Sequence, residues 1–130
     1  MMCLITGVGI DLIEVDRISK ACEKEGFLRR CFTENEIKLI DRKWQRAAGN
    51  FAVKEAVVKM FGTGFRGISF KEIEVLRDEL GKPYVKLYDK AAELAEKLGI
   101  TNIHVSITNT KNYANAFVIG EDRTSGQYNR

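Results

Sequence analysis

Strand-like and helix-like segments follow one another along this 130-residue chain without strict alternation and without an internal repeat, which predicts an α+β fold. Short strand-like runs joined by polar connections predict a mainly antiparallel sheet. One long helical stretch, residues 43–61, predicts the element against which that sheet packs. With 45% hydrophobic residues the chain suits a single domain over residues 1–120, long enough to bury roughly two-thirds of its unfolded surface. Residues 121–130 lack periodicity and are expected to form a disordered tail.

Residues 3–13 alternate as a strand, with Leu4, Thr6, Val8, Ile10 and Leu12 on one face and Ile5, Gly7, Gly9, Asp11 and Ile13 on the other. Two glycines before an aspartate leave room for something to approach the backbone, with Asp11 at the edge of that space. A bulge at the glycines and a turn at Asp11 is the structural alternative. Residues 14–24 have helical spacing, Val15, Ile18 and Cys22 inward and Arg17 outward, stopped by Gly26. Thr33 followed by Glu36 is a capping box for a short helix over 34–41.

Along the helix 43–61, Trp44, Ala48, Phe51, Glu55 and Val58 share one side, so Glu55 lies in an apolar stripe and requires a partner, naturally a cation. Lys59 follows one turn later. The opposite side, Val53, Ala56, Val57 and Met60, is apolar too, so the helix must be covered all round, by its own domain or by a second copy of the chain. Gly62-Thr63-Gly64 ends the helix as a glycine C-cap; the Gly-x-x-x-x-Gly-Lys-Ser/Thr phosphate loop is absent. Strands are expected over 73–76 and 84–87 around a turn with Gly81 at positive φ, and over 103–108 and 114–119. Between these pairs Asp89 is expected to cap a helix over 90–98.

Three cysteines without Cys-x-x-Cys spacing and one histidine argue against a zinc site or a disulfide framework, and reduced thiols in a cytosol are the default. No segment reaches the ~20 apolar residues of a membrane span. The start lacks the basic and small-residue features of a signal peptide, so a soluble, cytoplasmic protein is expected. The net charge of +3 is too small to argue for nucleic acid. It is nevertheless concentrated: residues 29–66 hold 9 Lys and Arg against 4 Asp and Glu, a balance suited to phosphates or an acidic protein partner. An ordinary solvated face is the bland reading.

The residues worth combining are Asp11, Glu55, Lys59 and the Gly-Thr-Gly turn. Two carboxylates without a cysteine or histidine cluster favour a hard cation such as magnesium, which keeps waters and takes other ligands from substrate phosphates. Lys59 would neutralise phosphate charge beside it. Spacing alone does not establish that Asp11 and Glu55 converge.

Taken in order, Gly7-Val8-Gly9-Ile10-Asp11-Leu12 with Glu14 and Arg17, Phe51-Ala52-Val53-Lys54-Glu55-Ala56, Lys59-x-x-Gly62-Thr63-Gly64, Gly81-Lys82-Pro83 and His104-Val105-Ser106-Ile107-Thr108 resemble the holo-acyl-carrier-protein synthases, bacterial 4'-phosphopantetheinyl transferases. The resemblance covers about residues 3–119 and implies the fold of that family. It implies magnesium held by Asp11 and Glu55, and coenzyme A bound by Lys59, Gly62, Thr63, Gly64, Pro83, Asn109 and Thr110. It further implies a homotrimer with sites between subunits, a role in fatty-acid biosynthesis, and an acidic carrier protein docking on the first helix. Arg17 is the docking contact it implies, and Arg30 is added from local charge. The implied reaction moves phosphopantetheine from coenzyme A to a carrier serine, releasing adenosine 3',5'-bisphosphate, with Glu55 and Lys59 as the catalytic pair.

Two positions depart from the family pattern. Asn109 stands where histidine is usual, and Asn50 where arginine usually precedes Phe-Ala. Asn109 hydrogen-bonds but does not titrate near neutrality. His104, five positions away on a strand, falls on the opposite face and reads as a sheet-surface residue. The departures motivate an alternative, a non-catalytic binder of coenzyme A or of an acidic carrier. A nucleic-acid-binding domain using the basic segment is a third reading, without an aromatic-studded basic strand to support it.

Overall fold

The computed structural model describes residues 3–124. The chain runs β1 (Leu4–Glu14), α1 (Val15–Glu23), α2 (Phe27–Cys31), α3 (Glu34–Ile40), α4 (Trp44–Phe61), a single 3-10 turn at Phe70–Glu72, β2 (Ile73–Arg77), β3 (Pro83–Leu87), α5 (Asp89–Lys97), β4 (Asn102–Asn109) and β5 (Tyr113–Asp122). Strands form two antiparallel sheets, one in the order β1-β5-β4 and a hairpin of β2 and β3. The expected α+β class with antiparallel pairing is therefore borne out.

Helix α4 is the hub. It packs against β1, β5, α1, β2, β4 and α3, which answers the question left by its apolar circumference: its own chain covers it. Gly7 and Gly9 lie under it. A methyl group at Gly9 would stand 1.8 Å from the Ala56 carbonyl oxygen, and one at Gly7 would stand 2.7 Å from that of Met60. The space over these glycines is thus filled by the backbone of α4 itself. A register shift between Ile5 and Gly7 places a bulge at the edge of the same stretch.

The other side of α4 is fixed by a buried polar network. Lys54, Glu36 and Asn50 are each 0% exposed. Lys54 Nζ lies 2.8 Å from Glu36 Oε1 and donates to the carbonyls of Phe70 and Ile73. Glu36 also accepts from the backbone of Thr33 and Val75 and from Asn50 Nδ2. Burial pushes the Glu36 carboxyl up and the Lys54 ammonium down, and each partner's charge opposes the shift of the other. Because each buried side-chain nitrogen and oxygen of the cluster has a hydrogen-bond partner, it holds α3, α4 and β2 in one arrangement.

Several boundaries differ from expectation. The five-residue α2 has no periodicity long enough to read, and it is held by Phe27 stacking near Phe51, 6.2 Å between centroids. Gly26, expected to stop the first helix, adopts φ +89° and opens α2. Asp89 does not cap α5: it is the helix's first residue, and the Ala91 N–H is capped by Glu72 from the 3-10 turn. The last strand runs on through Glu121 and Asp122, so these belong to the sheet rather than to the expected tail; residues 125–130 lie outside the described residues. Among the described residues no helix is long and apolar enough to cross a membrane.

The outward face of β1 and β5 is apolar and exposed: Val8 is 56%, Ile10 56%, Leu12 63% and Phe117 40% accessible. Ile10 and Phe117 are register partners, so these side chains form one contiguous patch.

The contact at Gly9 yields a direct expectation. Gly9→Ala forces a methyl into the Ala56 carbonyl, and the loss of stability should reach or exceed the upper end of the roughly 1–3 kcal/mol typical of overpacking. Urea unfolding monitored at Trp44 measures it; an unchanged midpoint would contradict the close approach.

Candidate active site

The helix-facing side of β1 presents Asp11 two residues after Gly9, at the edge of the contact with α4. Helix α4 brings Lys59 to the same edge. Its Nζ lies 3.1 Å from Asp11 Oδ1 and donates to the Ile10 carbonyl at 3.0 Å. Asn115 of β5 donates to the Asp11 carbonyl at 3.0 Å and so fixes the strand at this residue.

Glu55, one turn before Lys59, is half-buried and accepts no hydrogen bond among the described residues. Burial raises its carboxyl above the usual range and the Asp11 charge raises it further, while Lys59 and Arg17 act in the opposite sense. Asp11 and Glu55 are therefore electrostatic neighbours although they lie 44 positions apart in sequence. The partner relation expected from the sequence is altered: the Lys59 ammonium pairs with Asp11 and acts on Glu55 through space. The charge of α4 that is truly enclosed is Lys54, which the apolar stripe did not reveal because its partner, Glu36, lies on another helix.

This site fits a hard divalent cation. Two adjacent carboxylates, one of them without a hydrogen-bond donor, leave negative charge and lone pairs at an open edge. Among the described residues no group of three or more His, Cys, Asp and Glu converges, so the donor set is that of an ion retaining water and substrate ligands.

Arg17 lies on the exposed side of α1, near enough for its charge to reach Glu55. Arg30 sits on α2 with its guanidinium against Gly26, and no contact joins it to the acidic pair. Gly62 caps α4 at φ +80°, its N–H directed to the Val58 and Lys59 carbonyls, as the C-cap reading expected. Gly64 is also left-handed at φ +64°, and open space surrounds the position of a side chain at either glycine. Thr63 donates to the Gly64 carbonyl, and with Gly62 it borders a recess that also includes Arg66, Lys90 and Lys97.

Pro83 and Asn109 share a different recess with Arg46 and Arg77. Thr110 is occupied in the β4–β5 turn, where its hydroxyl accepts from the Tyr113 N–H. His104 is at the exposed sheet surface, 2.9 Å from Glu121, as expected of a residue on the face opposite Asn109. Arg46, Arg77, Arg66, Lys90 and Lys97 did not stand out in the sequence, because isolated basic residues on strand ends and helix faces look solvated until the fold groups them.

The family model described as the 4'-phosphopantetheinyl transferase superfamily matches residues 7–118. The chain belongs to that superfamily. The resemblance carried by the five motifs is thereby borne out, together with the enzyme class it implies, a phosphopantetheinyl transferase. A holo-[acyl-carrier-protein] synthase of Lachnoclostridium phytofermentans is 59% identical over 118 residues, 91% of this chain and 97% of the relative. The crystal structure of a holo-ACP synthase from Plasmodium yoelii superposes with a TM-score of 0.83 at 31% identity, covering 94% of this chain and 98% of that one. A holo-(acyl-carrier-protein) synthase from Bacillus anthracis, solved in complex with CoA (3',5'-ADP), superposes with a TM-score of 0.76 at 37% identity, covering 91% of this chain and 97% of that one.

The coupling of the two carboxylates can be read in solution. Because the Asp11 charge raises the Glu55 carboxyl, Asp11→Asn should lower the pKa of Glu55 toward the ordinary carboxylate value, and Lys59→Met should raise it. Carboxyl-carbon NMR titration without divalent ions follows the resonance; a Glu55 pKa indifferent to Asp11→Asn would place the two groups apart.

Proposed function

We propose that this protein transfers the 4'-phosphopantetheine arm of coenzyme A to a serine of an apo acyl carrier protein, releasing adenosine 3',5'-bisphosphate, in the cytoplasm and in the service of fatty-acid synthesis. The observation that carries the reading is the meeting of Asp11, Glu55 and Lys59 at one edge of α4 in a chain of this superfamily. The coenzyme complex of the Bacillus anthracis relative supports coenzyme A as the donor.

In this reading Asp11 and Glu55 would hold magnesium, which would supply positive charge to the diphosphate. Lys59, exposed and already at the acidic pair, turns its ammonium to a phosphate oxygen as the coenzyme binds. The serine hydroxyl attacks the phosphorus that bears the pantetheine arm; the bond to the bridging oxygen breaks and negative charge grows on that oxygen. Lys59 offsets this charge, so orientation and electrostatics supply most of the acceleration. Glu55 accepts the serine proton, directly or through a water. Arg17, close to Glu55 and exposed on α1, receives acidic side chains of the carrier, with Arg30 as a more distant contact. Gly62, Thr63 and Gly64 give the coenzyme phosphates close backbone access, and Pro83, Asn109 and Thr110 border its nucleotide end.

The proposal includes a homotrimer with sites at subunit interfaces. Its support is the exposed apolar patch of Val8, Ile10, Leu12 and Phe117, the kind of surface that a contact between copies would cover. The separation of the recess at Gly62 from the one at Pro83 on a single chain also suits a coenzyme shared between copies.

Apo carrier protein incubated with this chain, coenzyme A and magnesium should gain the mass of one phosphopantetheinyl group. Glu55→Gln should slow the gain by about 100-fold or more, and chelation of the metal should stop it. A carrier of unchanged mass would leave the non-catalytic binder as the reading. Sedimentation should find about three times the 14.7 kDa of one chain; a monomer would remove the shared-site part of the proposal.

A further inference from the structure

Among the described strands β1 is the outer member of its sheet, in the order β1-β5-β4, so one side of it is paired with β5 and the other is an edge. Where this strand enters the acidic site, two side chains grip consecutive carbonyls of its backbone. Asn115 Nδ2 of β5 donates to the Asp11 carbonyl at 3.0 Å, and Lys59 Nζ of α4 donates to the Ile10 carbonyl at 3.0 Å. Successive carbonyls of an extended strand point to opposite sides, so the two donors hold the strand from opposite sides. The same Lys59 ammonium is 3.1 Å from Asp11 Oδ1.

The two clamps differ in permanence. The Lys59 side chain is 54% exposed, whereas that of Asp11 is 16% exposed. In the transferase reading the ammonium turns to a phosphate, and in doing so it releases both the Ile10 carbonyl and the Asp11 carboxylate. Asn115 has no such second task. It is half-buried, and the bond to Asp11 is the one hydrogen bond that its side chain makes among the described residues. Its register partner is Leu12, so its side chain lies on the outward face beside Leu12 and Phe117, while Asp11 shares the face of Gly9 that is turned to α4. Asparagine is depleted from strands, and Ile10, Leu12 and Phe117 around this position are exposed and apolar. The outward face therefore gives no reason for an amide here; the carbonyl that it reaches does.

We propose that Asn115 is a positioning residue of the acidic site: by holding the Asp11 carbonyl, it keeps the Asp11 carboxylate at the edge shared with Glu55 when the Lys59 ammonium moves away. The inference rests on the reading of Asp11 and Glu55 as the holders of a divalent ion. It adds a residue that lies outside all five motifs of the resemblance. A peptide plane held at its carbonyl cannot swing about the strand axis without breaking that bond, so the direction of the Asp11 side chain is set by β5 as well as by α4. The amide is neutral, and it therefore acts on the geometry of the site and not on its charge.

The test is manganese binding to the full chain without coenzyme, followed by the paramagnetic resonance of the free ion. Asn115→Leu is close in size, suits the apolar face and lacks the donor; it should weaken manganese by about tenfold, while the urea midpoint and the sedimentation coefficient stay those of the unsubstituted chain. Asn115→Gln keeps an amide donor on the same face and should retain more affinity than Asn115→Leu. In a Lys59→Met background, where the second clamp is already gone, Asn115→Leu should cost more than it does alone, a coupling that a general loosening of the sheet would not produce. In turnover Asn115→Leu should raise the magnesium concentration needed for half the maximal rate and leave the KM for the carrier as it was. Asn115→Ala, smaller and unable to crowd the sheet, carries the comparison if leucine unfolds the chain. Manganese held as tightly by Asn115→Leu as by the unsubstituted chain, or the same loss with and without Lys59, would overturn the inference. An unsubstituted chain that binds no manganese would remove the ion-holding reading and the inference together. Manganese binding weakened by Asn115→Leu in a chain that transfers nothing would uphold the inference and tell against the transferase reading alone.

Discussion

The edge that carries the candidate active site depends on the contact between the backbones of β1 and α4. At Gly9 the strand lies so close to the helix that a single methyl group would overlap the Ala56 carbonyl. Asp11, two residues further along the same face, is thereby delivered to the turn of α4 that carries Glu55 and Lys59. On the far side the buried Lys54–Glu36 pair sets how α4 is rotated and how far it slides. Lys54 and Glu55 are consecutive, so their side chains diverge by about 100° around the axis. Anchoring the first in the core leaves the second at the open edge.

Electrostatics completes what packing begins. A half-buried carboxylate beside a second carboxylate is unfavourable, and Lys59 and Arg17 relieve only part of the cost. The residual negative charge is what a hard divalent ion would offset. The opposite imbalance occurs at the Arg46–Arg77 recess, where cations lack an anion. Each is unfavourable by itself and marks its place as a candidate ligand site.

Much of this was legible in the chain. Alternation placed Gly7, Gly9 and Asp11 on one face of the first strand, helical spacing placed Glu55 and Lys59 one turn apart, and Thr33 with Glu36 formed the capping box that was read. Local patterns failed where a partner came from elsewhere. The glycine opening looked like room for a ligand because nothing nearby in sequence identifies α4 as its occupant. Glu55 drew attention as the charge in the stripe, whereas Lys54 is the enclosed one, its partner 18 positions away on α3. Asp89 looked like a cap, yet Glu72 does that work from across the 3-10 turn. Asn50 stands out in the chain only as a departure from the family pattern, and the fold sets Arg77 against it.

The most direct measurement of the central claim is manganese binding, followed by the paramagnetic resonance of the free ion, for the unsubstituted chain, Asp11→Asn, Glu55→Gln and the double substitution. A single shared site predicts one bound ion per chain, a severe loss in either single variant, and little further loss in the double, since either removal already dismantles the pair. Losses that simply add, or an affinity insensitive to one of the two, would mean that strand and helix do not grip the same ion.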